Sequence, residues 1–372
     1  MSLSTQDHQF MVCALQLARL GVRSAHPNPA VGCVVVKHGQ IIGKGWHRKA
    51  GEPHAEVNAL RDAGKGAEGA DVYVTLEPCS HHGKTPPCVN ALIEAGVARV
   101  VIAMQDPNPL VAGAGIKCLT DAGIEVVSGC QQASALLLNQ GFVQRMKTGR
   151  PRVVSKLAMS LDGRTALANG ESAWISSSQS RQDVHGLRAE SSAILTASGT
   201  VAADDPQLNV RLAGESVERQ PDVVIVDTHL RTVPTASVFK QADRKVIIAT
   251  LSDDAIKHQA LKKVGATIVD MRQGLLEQRI DLACLLSLLA DQFEHNQIMV
   301  EAGAKLNGSL LAEMLIDELV LYQAPVVLGD EGMGLFHLPA LTSMNQRIEF
   351  HETSSIRLGK DRKIIYQPTL EA

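Results

Sequence analysis

Short apolar runs alternate with helical segments along almost the whole chain, and one interruption near residue 150 divides the pattern in two. From Asp7 to Leu20 apolar residues recur at helical spacing (Phe10, Met11, Ala14, Leu15, Leu17, Ala18), and Gly21 stops the run. Residues 31–36 and 41–46 flank Lys37-His38-Gly39-Gln40, which predicts a hairpin with Gly39 supplying positive φ. Apolar runs at 72–76, 100–104 and 124–127 then alternate with helical segments at 55–63, 88–95 and 115–122. A sheet built this way is covered on both faces, so a three-layer α/β domain is expected. A last helix over 133–146 runs into Lys147-Thr148-Gly149-Arg150-Pro151, where cations, Gly and Pro together stop a helix. Beyond it the pattern restarts with runs at 153–157, 193–195, 223–227, 246–249, 268–270, 298–301 and 319–324. The expectation is a first domain over 1–146, a linker at 147–151 and a second α/β domain over 152–372.

Composition narrows the function classes. The 372 residues suit two domains of ordinary size. Lys and Arg number 36 against 39 Asp and Glu, and the net charge of -3 comes without a basic block, so a dedicated nucleic-acid binder is not expected. Aromatic residues, at 3%, also leave few platforms on which bases could stack. No apolar run approaches the length of a membrane span, and the polar start of the chain lacks the pattern of a signal peptide, so a cytoplasmic protein is expected. Seven scattered cysteines then read as thiols or metal ligands.

One constellation carries explicit chemistry. His54-Ala55-Glu56 opens a helix, Pro78-Cys79 follows a strand, and Cys88 lies at the start of another helix. One imidazole and two thiolates suit Zn²⁺, and three protein ligands keep the fourth tetrahedral position open, as catalytic zinc sites do. A helix N-terminus favours the thiolate form of a cysteine placed there. Glu56, close to a ligand but not needed for coordination, can relay protons, which is the chemistry of deamination. The zinc-deaminase pattern is H-x-E followed by P-C-x-x-C, whereas here eight residues, 80–87, separate the cysteines. That insert holds His81 and His82, either of which could be a rival ligand closing a structural zinc knot, a reading that leaves Glu56 without a role.

Residues 26–32 (His-Pro-Asn-Pro-Ala-Val-Gly), His54-Ala55-Glu56 and 75–88 (Thr-Leu-Glu-Pro-Cys-Ser-His-His-Gly-Lys-Thr-Pro-Pro-Cys) resemble the deaminase half of the bifunctional riboflavin-biosynthesis deaminase/reductases, whose longer cysteine spacing this is. The resemblance implies a cytidine-deaminase-like domain with zinc on His54, Cys79 and Cys88 and with Glu56 as proton shuttle. It also implies that Asn28, His47, His81 and Lys84 line the pyrimidine and phosphate pocket. Without it, Asn28 reads as a turn residue and His47 as a solvated strand end.

The second half lacks a G-x-G-x-x-G motif after its first strand, so the usual dinucleotide fingerprint is missing. Residues 298–309 run strand, Gly-containing loop, helix, an arrangement whose N–H groups can cradle a phosphate. Segments 156–164, 170–175, 187–189 and 200–206, with 300–303, resemble the reductase half of the same family. That resemblance implies a dihydrofolate-reductase-like α/β domain using NADPH. It places Ala158, Trp174, Thr200, Asp204, Thr228 and the loop from Gly303 on the cofactor, and Ser172, Arg188, Leu208, Arg211 and Glu301 on a sugar phosphate substrate. Lys156 falls near the reacting carbon, and Lys156 and Glu301 are both candidates for protonation or charge stabilisation there. On residue type alone, Lys156 and Arg188 read as solvated charges and Trp174 as packing.

Taken together, the zinc-site residues and the resemblance imply a zinc- and NADPH-dependent enzyme acting on pyrimidine ribose phosphates in two steps of riboflavin synthesis. A homo-oligomer with no nucleic-acid or membrane partner is expected. The rival readings are a nucleoside or RNA deaminase with an unrelated C-terminal domain, and a zinc-stabilised scaffold without activity.

Overall fold

The computed structural model describes residues 3–82, 86–109, 111–172, 175–214, 216–272, 275–276 and 279–369. The chain divides into two compact units, Met1–Gly149 and Arg150–Ala372. Among the described residues no helix is long and apolar enough to cross a membrane.

The first unit opens with α1 (Thr5–Arg19), whose start is fixed by a capping box between Ser4 and Asp7. Asp7 is buried, and burial alone would raise its pKa. Hydrogen bonds from the Arg99 guanidinium, the Ser4 backbone and the Tyr73 hydroxyl instead hold its carboxyl well below the usual carboxylate range. Next come β1 (Gly32–Lys37), β2 (Gln40–Trp46), α2 (Ala55–Ala63), β3 (Asp71–Val74), α3 (Cys88–Glu94), β4 (Arg99–Ile102), α4 (Ala114–Asp121) and β5 (Glu125–Ser128). The sheet order is β2-β1-β3-β4-β5, with the first two pairings antiparallel and the rest parallel. The hairpin turn uses positive φ at both His38 and Gly39, as a two-residue turn matched to strand twist requires.

Two glycines explain how the helices lie on this sheet. A Cβ on Gly32 would sit 2.0 Å from the Ala14 carbonyl oxygen of α1. One on Gly45, whose pairing partner is Cys33, would sit 2.3 Å from the Ala55 carbonyl oxygen of α2. Successive strand residues point to opposite faces, so α1 and α2 cover opposite faces of the sheet and the unit has three layers. Between them lies a core that includes Met11, Val34, Val35, Ala59, Val72, Leu92 and Leu119.

The helix expected over 133–146 is two helices, α5 (Gln132–Leu138) and α6 (Gln140–Thr148). Asn139 parts them: its buried amide accepts the Ala30 N–H at 2.8 Å and donates to the Ala30 carbonyl at 3.0 Å. Lys147 and Thr148, expected in a linker, form the last turn of α6, which Gly149 closes at φ 71°.

The second unit contains β6 (Arg152–Met159), β7 (Arg164–Ala166), β8 (Ala193–Ala197), β9 (Asp222–Val226), β10 (Val246–Thr250), β11 (Ala266–Asp270), β12 (Leu275–Leu276), β13 (Arg279–Ile280), β14 (Gln297–Val300), β15 (Glu318–Gln323), β16 (Met333–Gly334), β17 (Phe350–Leu358) and β18 (Asp361–Pro368). Its helices are α7 (Ser178–Glu190), α8 (Ser198–Asp204), α9 (Ala255–Lys263), α10 (Leu282–Gln292) and α11 (Ala304–Ala312). The main sheet runs β11-β10-β9-β8-β14-β6-β15-β18-β17. The strands from β11 to β15 are parallel, and β18 and β17 add antiparallel. This last pair was not expected, because β17 carries the polar run His351-Glu352-Thr353-Ser354-Ser355 in place of an apolar one. Strands β8 to β11 build outward in one direction while β14 lies on the other side of β8. The order therefore reverses at β8 and β14, and ligands of open α/β sheets bind in a crevice beyond the carboxyl ends at such a point.

Candidate active sites

In the first unit His54 occupies the N-cap position of α2, Cys79 sits in the loop after β3, and Cys88 is the first residue of α3. His54 Nδ1 is 3.2 Å from Cys88 Sγ and 3.6 Å from Cys79 Sγ, and the three donor atoms lie within 4.8 Å of one another. A zinc tetrahedron with bonds of about 2.1 Å to nitrogen and 2.3 Å to sulfur has N···S edges of about 3.6 Å, so this donor set fits that ion in both chemistry and spacing. The Cys88 N–H donates to Cys79 Sγ at 3.3 Å. The Cys79 thiol is lowered to about 4, first by its hydrogen bond with Cys88 and then by His54 and that N–H, against burial. The same sulfur–sulfur hydrogen bond, with burial, pushes Cys88 up. The two sulfurs thus share one proton, and a divalent cation between them would displace it. His54 is shifted up, chiefly by Cys79.

Glu56 lies in the first turn of α2 and is only 3% exposed. Burial, followed by the negative charge of Cys79, raises its carboxyl to about 7. His81 and His82 are exposed and stand outside the donor cluster, which among the described residues has three members. The closed zinc knot is therefore not what these residues form.

His47 is 2% exposed, which overturns its reading as a solvated strand end. Its Nε2 is 2.9 Å from the Asn28 amide nitrogen, its Nδ1 3.3 Å from the Pro53 carbonyl oxygen, and its ring meets His54 edge-on at 5.0 Å. Burial lowers its pKa, and a neutral ring that donates from Nδ1 accepts from Asn28 at Nε2. Lys84 lies outside the described residues. The sequence reading missed Glu77. Its buried carboxylate accepts the N–H groups of Asp106, Gly113, Gly115 and Ile116 at 2.9–3.2 Å, which ties the 106–116 segment to the turn carrying Cys79. A glutamate directly before Pro78-Cys79 in an apolar stretch was the available signal.

The second unit has a cleft of about 1500 Å³ at the carboxyl ends of β6, β8, β9 and β14. Of the residues expected at the cofactor, Ala158, Thr200, Asp204, Thr228 and Gly303 line it. Of those expected at the substrate, Ser172, Arg188, Leu208, Arg211 and Glu301 line it, and Lys156 joins them. Trp174 lies outside the described residues. Two hydrogen bonds close the seam between β8 and β14: Thr196 Oγ1 to the Glu301 carbonyl at 2.8 Å, and the Glu301 N–H to the Leu195 carbonyl at 3.0 Å.

Arg188, expected with Arg211 at a substrate phosphate, has its fork engaged. Nε and Nη2 bond the Glu301 carboxylate, Nη2 at 2.9 Å, while Nη1 donates to the Asn209 carbonyl at 2.9 Å. Burial alone would raise the Glu301 pKa, but Arg188 and then Lys156 hold it below the ordinary value, so it stays ionised. Burial lowers the Lys156 pKa, only partly offset by Glu301. Arg211 is exposed. The structure adds Asn307, fully buried, whose amide accepts from Ser155 Oγ at 2.7 Å and donates to the carbonyls of Ala302 and Gly303 at 2.7 and 3.2 Å. It pins the loop ahead of α11, where a Cβ on Gly303 would meet only open space.

Comparison with known proteins follows the same division. Residues 4–104 match the cytidine and deoxycytidylate deaminase zinc-binding region, and residues 151–363 match the RibD C-terminal domain. The riboflavin biosynthesis protein RibD of Escherichia coli strain K12 is 47% identical over 366 residues, covering 96% of this chain and 98% of its own length. The chain belongs to the RibD family. A solved RibD structure from Acinetobacter baumannii superposes with a TM-score of 0.91 at 44% identity, covering 98% of this chain and 99% of its own. A Thermotoga maritima structure gives 0.86 at 32%, with the same coverage of both chains, and is described as a diaminohydroxyphosphoribosylaminopyrimidine deaminase/5-amino-6-(5-phosphoribosylamino)uracil reductase. As a RibD-family protein the chain is a bifunctional enzyme of riboflavin biosynthesis, with a cytidine-deaminase-like unit and a reductase unit. A nucleoside or RNA deaminase with an unrelated C-terminal domain is not favoured, because RibD relatives match the second unit as well as the first.

Proposed function

We propose that the first unit deaminates 2,5-diamino-6-(5-phosphoribosylamino)pyrimidin-4(3H)-one and that the second reduces the ribosyl group of the resulting 5-amino-6-(5-phosphoribosylamino)uracil with NADPH. The observation that carries this reading is the presence on one chain of two sites of the right kinds: a three-donor cluster with a buried carboxylate beside it, and a separate cleft that collects every described reductase candidate.

Zinc held by His54, Cys79 and Cys88 would supply the Lewis acidity that makes water a competent nucleophile near neutral pH. Glu56 takes the proton of the attacking water and passes protons to the departing amine, so that ammonia leaves the ring carbon and a uracil remains. A carboxyl raised to about 7 is matched to both tasks. Asn28 and His47, joined by their hydrogen bond, hold the pyrimidine, with His81 and Lys84 toward the phosphate.

NADPH held in this cleft would supply the hydride that reduces the ribose C1′ of the ring-opened substrate. The first turn of α11 with Gly303, together with the nearby cations Arg231 and Lys305, suits its phosphates, and Ala158, Trp174, Thr200, Asp204 and Thr228 complete the cofactor set. Lys156 and Glu301 flank the reacting carbon. Lys156, with its pKa lowered by burial, is the better proton donor, while ionised Glu301 is the better acceptor of a sugar hydroxyl. Ser172, Leu208 and Arg211 hold the rest of the substrate. We place this chemistry in the cytoplasm, on small-molecule substrates, in a homo-oligomer.

The test follows NADPH absorbance with the diaminopyrimidine phosphate as sole substrate. Oxidation is expected with zinc-loaded enzyme and should stop on chelation, whereas the pre-deaminated compound should be reduced in either case. Absence of NADPH consumption with both compounds would overturn the proposal.

A further inference from the structure

The reductase cleft holds a histidine that neither the residue pattern nor the family resemblance assigned. His185 lies on α7 three residues before Arg188, so both side chains leave the same face of the helix and both line the cleft. Its Nδ1 accepts the backbone N–H of Arg211 at 3.2 Å. Arg188 Nη1 grips the same segment two residues earlier, at the Asn209 carbonyl. Between these points the Gln220 side chain brackets Val210, accepting its N–H at 2.7 Å and donating to its carbonyl at 3.2 Å. Segment 208–211 has no regular structure of its own, and Leu208 adopts a φ of 48°, so side chains from outside the segment set its path. Arg211 projects from the end of that path.

We propose that His185 is a positioning residue for the phosphate of the reductase substrate, acting as a neutral imidazole that fixes the Arg211 backbone. The assignment rests on the reductase reading given above. An acceptor at Nδ1 requires a ring with its single hydrogen on Nε2. Protonation replaces that lone pair with an N–H facing the Arg211 N–H, which breaks the grip. The charged groups that act on the ring are Arg188 of its own helix, Arg211 of the gripped segment and Glu301 beyond β14, while Arg181 of the same helix and Lys156 of β6 line the same cleft. Burial first, then Arg188 and Arg211, lowers the ring's pKa and outweighs the Asn209 carbonyl and Glu301, so the neutral form is the resident one at neutral pH. The sign follows: the grip is intact above the His185 pKa and is lost as pH falls through it.

The test uses full-length zinc-loaded enzyme, the pre-deaminated phosphorylated substrate and its dephosphorylated form. His185→Leu removes the acceptor, and His185→Asn keeps one, because Asn Oδ1 falls near the position of Nδ1. For the phosphorylated substrate, His185→Leu should raise KM about five- to tenfold, the scale of one hydrogen bond, with kcat and the KM for NADPH within about twofold. His185→Asn should recover most of the loss at pH 7–8 and should lack the acid-side rise in KM that the native enzyme shows beyond the titration of the phosphate itself. With the dephosphorylated substrate all three proteins should agree. Calorimetric titration of the phosphorylated substrate without NADPH should reproduce the KM ratios as binding ratios. A wild-type enzyme that neither binds nor reduces this substrate overturns the functional reading. A working wild type with an unchanged His185→Leu KM, equal losses for both substrates, or no recovery in a folded His185→Asn overturns the role of His185.

Discussion

Glu56 and Glu77 are buried carboxylates on the two arms of the same metal-ligand arrangement, and their surroundings separate their roles. Glu77 is surrounded by four backbone N–H groups and serves as a structural anchor. Glu56 instead has its carboxyl raised to about 7, where it can both take and give a proton. Glu56→Gln should therefore retain zinc at native stoichiometry by metal analysis and lose roughly 10²- to 10⁴-fold in deaminase turnover, the usual contribution of a general acid–base. Turnover within a few-fold of the native enzyme would remove Glu56 from the proton relay. The clustering of His54, Cys79 and Cys88 and the place of Glu56 in the first turn of α2 were legible in the sequence, because metal and proton chemistry would demand those residue types at short spacing. Asn28 and His47 stood out only through resemblance, since their pairing spans 19 positions and neither type is distinctive alone. Glu77 and His185 hold backbone groups 38 and 26 positions away, and Asn307 is held in turn by Ser155, 152 positions away, so residue type and position do not show what these side chains touch.

The element that brings His54 and Glu56 to the site is α2, and its position depends on the bare backbone of β2. A Cβ at residue 45 would lie 2.3 Å from the Ala55 carbonyl oxygen and 2.4 Å from the Ala59 nitrogen, both main-chain atoms with no rotamer to change. Gly45→Ala must therefore push α2 off the sheet. The expected destabilisation is about 1–3 kcal/mol, seen as a fall of several degrees in the melting of the first unit, with loss of deaminase activity and native reductase activity. A native melting temperature and native deamination would show that the helix can shift without consequence. Regular elements with strong apolar periodicity, such as α1, β1 and the parallel strands, were legible because their burial sets that period. The break at Asn139 was not, because it is imposed by a hydrogen-bonded pair 109 residues apart. Strands β17 and β18 escaped notice for a related reason: β17 is largely exposed and keeps a polar sequence.

At the scale of the molecule, the first core and the cores of the second unit draw on residues from opposite sides of Gly149. The candidate metal ligands all belong to Met1–Gly149, and the cleft residues all belong to Arg150–Ala372. Zinc held by the three candidate donors, which folding brings together, would bind only the folded first unit, so its binding free energy would add to the stability of that unit. At a free zinc concentration about 1,000 times its dissociation constant, the gain is about 4 kcal/mol, equivalent to roughly 10 °C for a unit of this size. Calorimetry of the full chain should then show two transitions, of which chelation lowers one by about that amount and leaves the other in place. The unmoved transition is identified by adding NADPH, which should raise it alone. Glu56→Gln, which keeps the metal, should melt like the native protein and still oxidise NADPH when given the deaminated intermediate. If chelation lowers both transitions together, or abolishes reduction of that intermediate, the second unit depends on the first for its fold, and a division of stability and activity at Gly149 no longer holds.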